Sequence, residues 1–227
     1  MRGREVVITG MGVVSPIANE LNLFWEGLKA GQSGIARVES MEDIDQYPVQ
    51  IAGEVRDLEV EKYVEAKEAR KMDPYTVYGM AAASMAVEDA KLHQGTFDPE
   101  RAGVLVSSGI GGMQLLQTQH KRALEGGPKR VSPQLIPQMI TNILSGYISI
   151  KYGFKGPNFC ITSACASGTH SIGEAARMIT YGDADVMLAG GSEASIELLG
   201  VAGFAALRAT SRRNDDPVGA SRPFDKY

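Results

Sequence analysis

NFCITSACASGTHSIGEAARMITYGDADVMLAG, residues 158 to 190, reads as a strand, a helix and a second strand. Asn158 to Thr162 is a short apolar run. Ala166 to Tyr181 follows as a helix with Ile172, Ala175, Ala176 and Ile179 on one face. Asp185 to Gly190 is again apolar and strand-like. Strands alternating with helices indicate an α/β fold. Working outward, Ala102 to Ser108 is expected to be a buried strand, and Gly109-Ile-Gly-Gly112 to turn the chain into a helix from Met113 to Leu124. Pro133 to Tyr152 reads as one or two helical pieces. Asp73-Pro74 opens a long helix through Lys91 by a cap-then-Pro signal, with small residues that suit close packing. Arg4 to Ser15 is expected to be a buried strand ending in a tight turn, and Leu21 to Ala30 a short helix capped by Gly31. Residues 32 to 53 read as a long loop with one short strand, and the chain beyond Arg208 as loop.

The composition narrows the function classes. Of 227 residues, 44% are hydrophobic and 22% charged, which suits a folded chain with a sizeable core and excludes a disordered tail. A net charge of −4 and a pI near 5.5 argue against a nucleic-acid surface. No run of eighteen apolar residues is present, so no membrane span is expected, and the N-terminus lacks the marks of a signal peptide. Two cysteines cannot build a disulfide framework and suit a reducing cytosol, which predicts a cytoplasmic protein. Between Glu54 and Asp73 more than half of the residues are charged, as expected of a solvated face. From Val131 to Gly173, by contrast, only Lys151 and Lys155 are charged. That stretch suits core or an isologous interface and predicts a homodimer.

The sharpest chemical feature is Thr162-Ser-Ala-Cys-Ala-Ser-Gly168. Cys165 lies between a strand and a helix among small neighbours that leave its sulfur accessible. The positive end of the helix dipole and the free amides there stabilise a thiolate, which makes a good nucleophile. A buried, inert thiol is the competing reading of the same residue. Cys160 is expected to point inward from the strand as a structural residue. His170 lies about 140° past a full helical turn from Cys165, so the two do not share a face. His93 and His120 read as surface residues, so local spacing assembles no Cys-His-Asp arrangement. Metal signatures and the P-loop are missing, and no cofactor is expected. Gly10-Met-Gly12 is a weak dinucleotide signal. Ser15-Pro16 stands where a third Gly belongs, and Gln32 where an acidic ribose ligand would be sought. Glu193, after Gly190-Gly-Ser, reads as a structural acid.

At Cys165 the sequence resembles the β-ketoacyl-acyl-carrier-protein synthases of the elongating type, synthase II. Val7-Ile-Thr-Gly-Met-Gly-Val-Val-Ser-Pro16 resembles the family's opening strand, and Ser108-Gly-Ile-Gly-Gly112 its pocket loop. Thr162 to Gly168 resembles the nucleophile motif. Tyr181 to Gly191, Gly200-Val-Ala-Gly-Phe204 and Ser221-Arg-Pro-Phe-Asp225 continue the match. The resemblance implies a thiolase-like layered α/β fold of two similar halves, each a mixed five-stranded sheet packed by helices. Residues 1–227 correspond to the N-terminal, nucleophile-bearing half. By the same resemblance Cys165 takes an acyl chain from an acyl-carrier-protein thioester for condensation with malonyl-carrier protein. The resemblance also makes Ile110 and Phe204 walls of the acyl tunnel, and both equally satisfy a plain core reading. The family's two catalytic His, its Lys and its gating Phe belong to a second half and map to no residue here. The closing Lys226-Tyr227 departs from the family's acidic, Gly-rich continuation. Two other readings stand beside the synthase: a non-catalytic half that dimerises or binds carrier protein, which the retained Cys165 disfavours, and a dinucleotide-binding oxidoreductase.

Overall fold

The computed structural model describes residues 3–93 and 95–226. The ends read above as Met1-Arg2 and Tyr227 lie outside them. In chain order the elements are α1 (Leu21–Lys29), β1 (Ala36–Arg37), β2 (Ile51–Ala52), α2 (Ala66–Ala69), α3 (Pro74–Asp89) and β3 (Ala102–Ser107). They continue with α4 (Met113–Gly126), α5 (Leu135–Met139), α6 (Ile143–Tyr152), α7 (Ser167–Tyr181), β4 (Val186–Gly191) and α8 (Leu198–Ala206). The described residues form two compact units, one from those within 3–12 and 59–194, the other from those within 13–58 and 195–226.

The first unit is built on β3, all six residues of which are buried. β3 pairs in parallel with β4, from Ala102 opposite Val186 to Ser107 opposite Gly191. A parallel strand buried this way on both faces needs helices packed over it. α6 and α7 supply them, α3 packs on α6, and Tyr75, Met80, Val104, Leu144, Ile148 and Phe154 form the core. At the start of the sheet Arg4 and Arg101 both bond Asp185. The two guanidiniums, Arg101 first, hold that carboxyl at about 2.

On the other side of β3 the expected strand Asn158 to Thr162 does not form. Only Asn158 bridges Val104. The ladder is interrupted because a side chain takes its place: the Ser145 hydroxyl of α6 accepts from Val106 N–H at 2.9 Å and reaches the carbonyl of Phe159 at 3.1 Å. Further along, Ile161 N–H donates to the Ser107 hydroxyl rather than to a strand carbonyl.

The opening segment also departs from its reading. It has no strand, and Val7 and Ile8 are exposed. It is tied instead to α3. Met11 N–H donates to Asp89, and a Cβ on Gly12 would stand 1.9 Å from the Ala82 carbonyl oxygen. The small residues of α3 admit this backbone approach, and β-propensity alone supplies no pairing edge. Among the described residues the sheets of the two units therefore have two strands each, fewer than the five expected.

Most helices form where the sequence places them. Asp73 caps α3 as expected, accepting from Tyr75 N–H. The buried face of α7 differs from its reading. It carries Ser167, Ser171, Ala175 and Met178, whereas Ile172 is exposed. At the start of that face small residues are needed because α7 comes close to β4 there: a Cβ on Gly191 would meet Gly168 Cα at 2.9 Å.

In the second unit α1 ends as expected, with Gly31 in the left-handed region at φ +66°. The region read as loop with a single strand holds two, β1 and β2, paired antiparallel. A small core gathers Val49, Ile51 and Ala205.

Tyr75 ties the core to the rim. It is fully buried, and its hydroxyl donates to Ile140 O at 2.7 Å. Burial pushes its phenol up to about 12. A raised phenol contributes stability that is present below pH ~10 and is lost as pH rises from 10 towards 12. An absorbance titration is expected to show Tyr75 ionising about two units above an ordinary tyrosine, together with loss of structure. Tyr75→Phe should remove that late transition at a cost of about 1 kcal/mol. A late transition that survives the substitution would assign it to another residue.

Candidate functional site

Cys165 stands two residues before α7, exposed to solvent. The turn that presents it is strained. Ala164 has φ +52°, a left-handed conformation that costs an Ala about 1–2 kcal/mol. Ser167, itself 3% exposed, holds the turn closed. Its hydroxyl accepts from Ser163 N–H at 2.9 Å and donates to Ala164 O at 2.7 Å. No side chain caps α7 at Ala166, so the positive end of the helix faces the turn that carries Cys165.

Beneath the turn runs a hydroxyl chain. Ser171 donates to Ser167 O, and its Oγ lies 2.6 Å from Ser107 Oγ at the end of β3. Thr162 bonds Ser108 O and Thr141 Oγ1, both at 3.2 Å. Cys160 is not in a strand and is only half-buried, with Sγ 3.4 Å from Thr162 Oγ1. Burial raises its thiol, but hydrogen bonds from Thr141, Thr162 and Ser107 outweigh that and leave it below the ordinary range. Cys160 is thus a half-buried thiol in a polar network outside any strand, where the sequence reading has it point inward from a strand as a structural residue.

The Ser108–Gly112 loop lies against the nucleophile turn. A Cβ on Gly109 would stand 3.1 Å from Ala164 O. Gly111 needs its φ of +81°, and a Cβ there would collide with Met139 O at 2.5 Å. One carboxylate grips this loop and a second holds the first turn of α4 that follows it. Glu193 Oε2 accepts from the amides of Gly109 and Ile110, both at 3.0 Å, and Oε1 accepts from the Ser108 hydroxyl at 3.1 Å. The structural role read for Glu193 is therefore its role in the fold. Asp73 Oδ2 accepts from Leu115 N–H at 3.0 Å, so one carboxylate caps both α3 and α4. Burial first, and the like charge of Glu193, push the Asp73 carboxyl up; the two amide bonds oppose this.

Ile110 lines an open groove of about 480 Å³ with Met113, Leu116, Met139, Ile140 and Thr141. The walls are mostly apolar, as a hydrocarbon chain requires. Phe204 stands on α8 of the second unit, partly exposed. His170 Nδ1 lies 2.6 Å from Ser163 Oγ, a local contact of the turn, while His93 and His120 are exposed. Among the described residues no cluster of His, Cys, Asp and Glu could hold a metal ion, and no helix is long and apolar enough to cross a membrane.

The sequence reading missed Ser167, Ser107 and the second bond of Asp73. Ser167 sits inside the quoted motif but carries no pattern that separates a capping hydroxyl from a merely small residue. Asp73 and Leu115 are brought together only by the fold.

Comparison with known proteins places these features in context. The profile of the β-ketoacyl synthase N-terminal domain matches residues 3–226. The 3-oxoacyl-[acyl-carrier-protein] synthase 2 of Vibrio cholerae is 47% identical over 226 residues, covering 100% of this chain and 54% of that protein. The synthase of the same name from Staphylococcus aureus is 44% identical over 225 residues, 99% of this chain and 54% of its own. A crystal structure of a β-ketoacyl synthase from Burkholderia phymatum superposes with a TM-score of 0.86 at 31% identity, over 99% of this chain and 55% of that one. A solved complex of a type II polyketide acyl-carrier protein with its ketosynthase, bound to the hexaketide, gives 0.77 at 28% identity, over 90% and 55%. The chain spans about half the length of the curated relatives it matches. These likenesses carry the thiolase-like α/β class expected for an N-terminal half.

Proposed function

Since the chain belongs to the β-ketoacyl synthase N-terminal domain family, we propose that it is the nucleophile-bearing half of a 3-oxoacyl-[acyl-carrier-protein] synthase of fatty acid biosynthesis, with Cys165 as the acyl acceptor. The observation that carries this reading is the exposed Cys165 on the strained Ala164 turn, at the positive end of α7 and beside the loop that bears Ile110. The Cys165 thiolate attacks the carbonyl of an acyl-carrier-protein thioester. The tetrahedral oxyanion collapses, the carrier leaves as a thiolate that takes a proton from water, and the acyl group stays on the Cys165 sulfur. The backbone N–H of Cys165 supplies one donor to that oxyanion, and loss of such a donor costs about 2.7–4 kcal/mol in enzymes where it has been removed. Ile110 lines the groove proposed for the acyl chain, and Phe204 is assigned to the acyl tunnel by resemblance alone.

In the second step malonyl-carrier protein loses CO₂. The carbanion attacks the acyl-Cys165 carbonyl, giving the 3-oxoacyl product and freeing the thiolate. Stabilising that enolate needs donors such as His. His93, His120 and His170 do not fill that place, and the family's catalytic His belong to its second half. The test is an intact mass spectrum before and after incubation with an acyl-carrier-protein thioester. A gain of one acyl group supports the reading. No gain leaves a half that dimerises or binds carrier protein.

The same proposal includes a homodimer in the cytoplasm. Its support is the nearly uncharged stretch from Val131 to Gly173, which leaves Ile136, Ile150, Phe159 and Ile172 exposed. Light scattering should give the mass of two chains at micromolar concentration. A stable monomer would contradict the dimer.

A further inference from the structure

We propose that Glu193 is a positioning residue that sets which acyl chain lengths Cys165 accepts. This rests on the reading of Cys165 as acyl acceptor. Glu193 stands two residues after the end of β4 and reaches across to three consecutive residues of the Ser108–Gly112 loop. That loop has two working sides. Gly109 lies against Ala164, one residue before the nucleophile. Ile110 lines the apolar groove. The loop also holds itself in shape, because the Ser108 hydroxyl that donates to Glu193 accepts from Gly111 N–H at 2.9 Å. Its far end is fixed separately through Asp73 and Leu115. The groove wall at Ile110 is therefore fixed to β4 through one side chain. Without that carboxylate the amides of Gly109 and Ile110 lose their acceptor, and Ile110 is free to move into or out of the groove.

The two amide bonds fall on the same oxygen, Oε2. Glu193→Gln keeps a carbonyl oxygen for both and turns its NH₂ to the Ser108 hydroxyl, so it should behave nearly as the unaltered chain. Glu193→Ala removes the acceptor altogether. Glu193→Asp keeps the charge but is one methylene too short, and serves if the Ala variant does not fold.

The experiment compares the unaltered chain with these variants in two measurements. The first is the rate of acyl transfer from a medium-chain and a long-chain saturated acyl-carrier-protein thioester. The second is amide hydrogen exchange at Gly109 and Ile110. Glu193→Ala, or Glu193→Asp in its place, should change the medium-to-long rate ratio by about tenfold and speed exchange at both amides by a similar factor, as expected for one or two lost hydrogen bonds. Glu193→Gln should restore both. Transfer with an unchanged ratio, or unchanged exchange, overturns the role of Glu193 and leaves the reading of Cys165 standing. Absence of transfer in the unaltered chain overturns the reading of Cys165 and this proposal with it.

Discussion

Cys165→Ala should end acyl loading entirely, while Cys160→Ala should leave it in place. The two thiols differ in access more than in chemistry. Cys165 is exposed on a turn held by Ser167, among Ala164, Ala166 and Gly168, where a thioester can approach. Cys160 is half-buried and tied to the hydroxyls of Thr141, Thr162 and Ser107. Those hydroxyls favour its thiolate, yet its half-buried sulfur is less open to an acyl thioester than the exposed sulfur of Cys165. Removing the Cys165 sulfur deletes the attacking atom, so no smaller effect than complete loss is expected. The fold should be untouched, because the side chain projects into solvent and Ala suits its small neighbours. Intact mass after incubation with an acyl-carrier-protein thioester reads the result. Residual loading in the Cys165→Ala chain would move the nucleophile elsewhere.

Leu144→Ala is expected to destabilise the chain by about 2–5 kcal/mol. Leu144 is fully buried on α6, in the core that joins α3 and α6 to β3. Its shape is matched by a glycine: a Cβ on Gly79 of α3 would stand 2.3 Å from Leu144 Cδ2. Rigid packing on both sides prevents the site from collapsing after truncation. The next residue, Ser145, bonds the backbone of Val106. Movement of α6 would therefore disturb the strand that ends at the Ser108–Gly112 loop. Denaturant unfolding measures the cost, and a change under about 1 kcal/mol would show that the pocket collapses around the smaller side chain.

The parts of the fold governed by local chemistry could be read from the sequence. Asp73-Pro74 set the start of α3, Gly31 the end of α1, and the apolar run at Ala102 the strand β3. The failures occur where tertiary contacts override local preference. Val7 and Ile8 have strand-forming side chains but no paired edge, and backbone approach to α3 holds their segment instead. Asn158 to Thr162 loses its ladder to the hydroxyls of Ser145 and Ser107. Periodicity places Ile172 on the inner face of α7, yet that face carries Ser167, Ser171, Ala175 and Met178, and its first turn, where Gly168 meets Gly191, has no room for a large side chain. The site divides in the same way. Cys165 and the Gly109–Gly112 turn stand out as motifs. The grip of Glu193 on the loop and of Asp73 on the first turn of α4 joins residues distant in sequence, Glu193 to Ser108–Ile110 and Asp73 to Leu115, so no spacing rule reveals it.

The most direct measurement is to locate the acyl group by tandem mass spectrometry of a digest of the loaded chain. Only two cysteines are present, Cys160 and Cys165, so a peptide cleaved between them, or fragment ions that separate them, decides the matter. The acyl mass is expected on Cys165 alone. An acyl group on Cys160, or a loaded chain with both thiols unmodified, would contradict the assignment of Cys165 as the nucleophile.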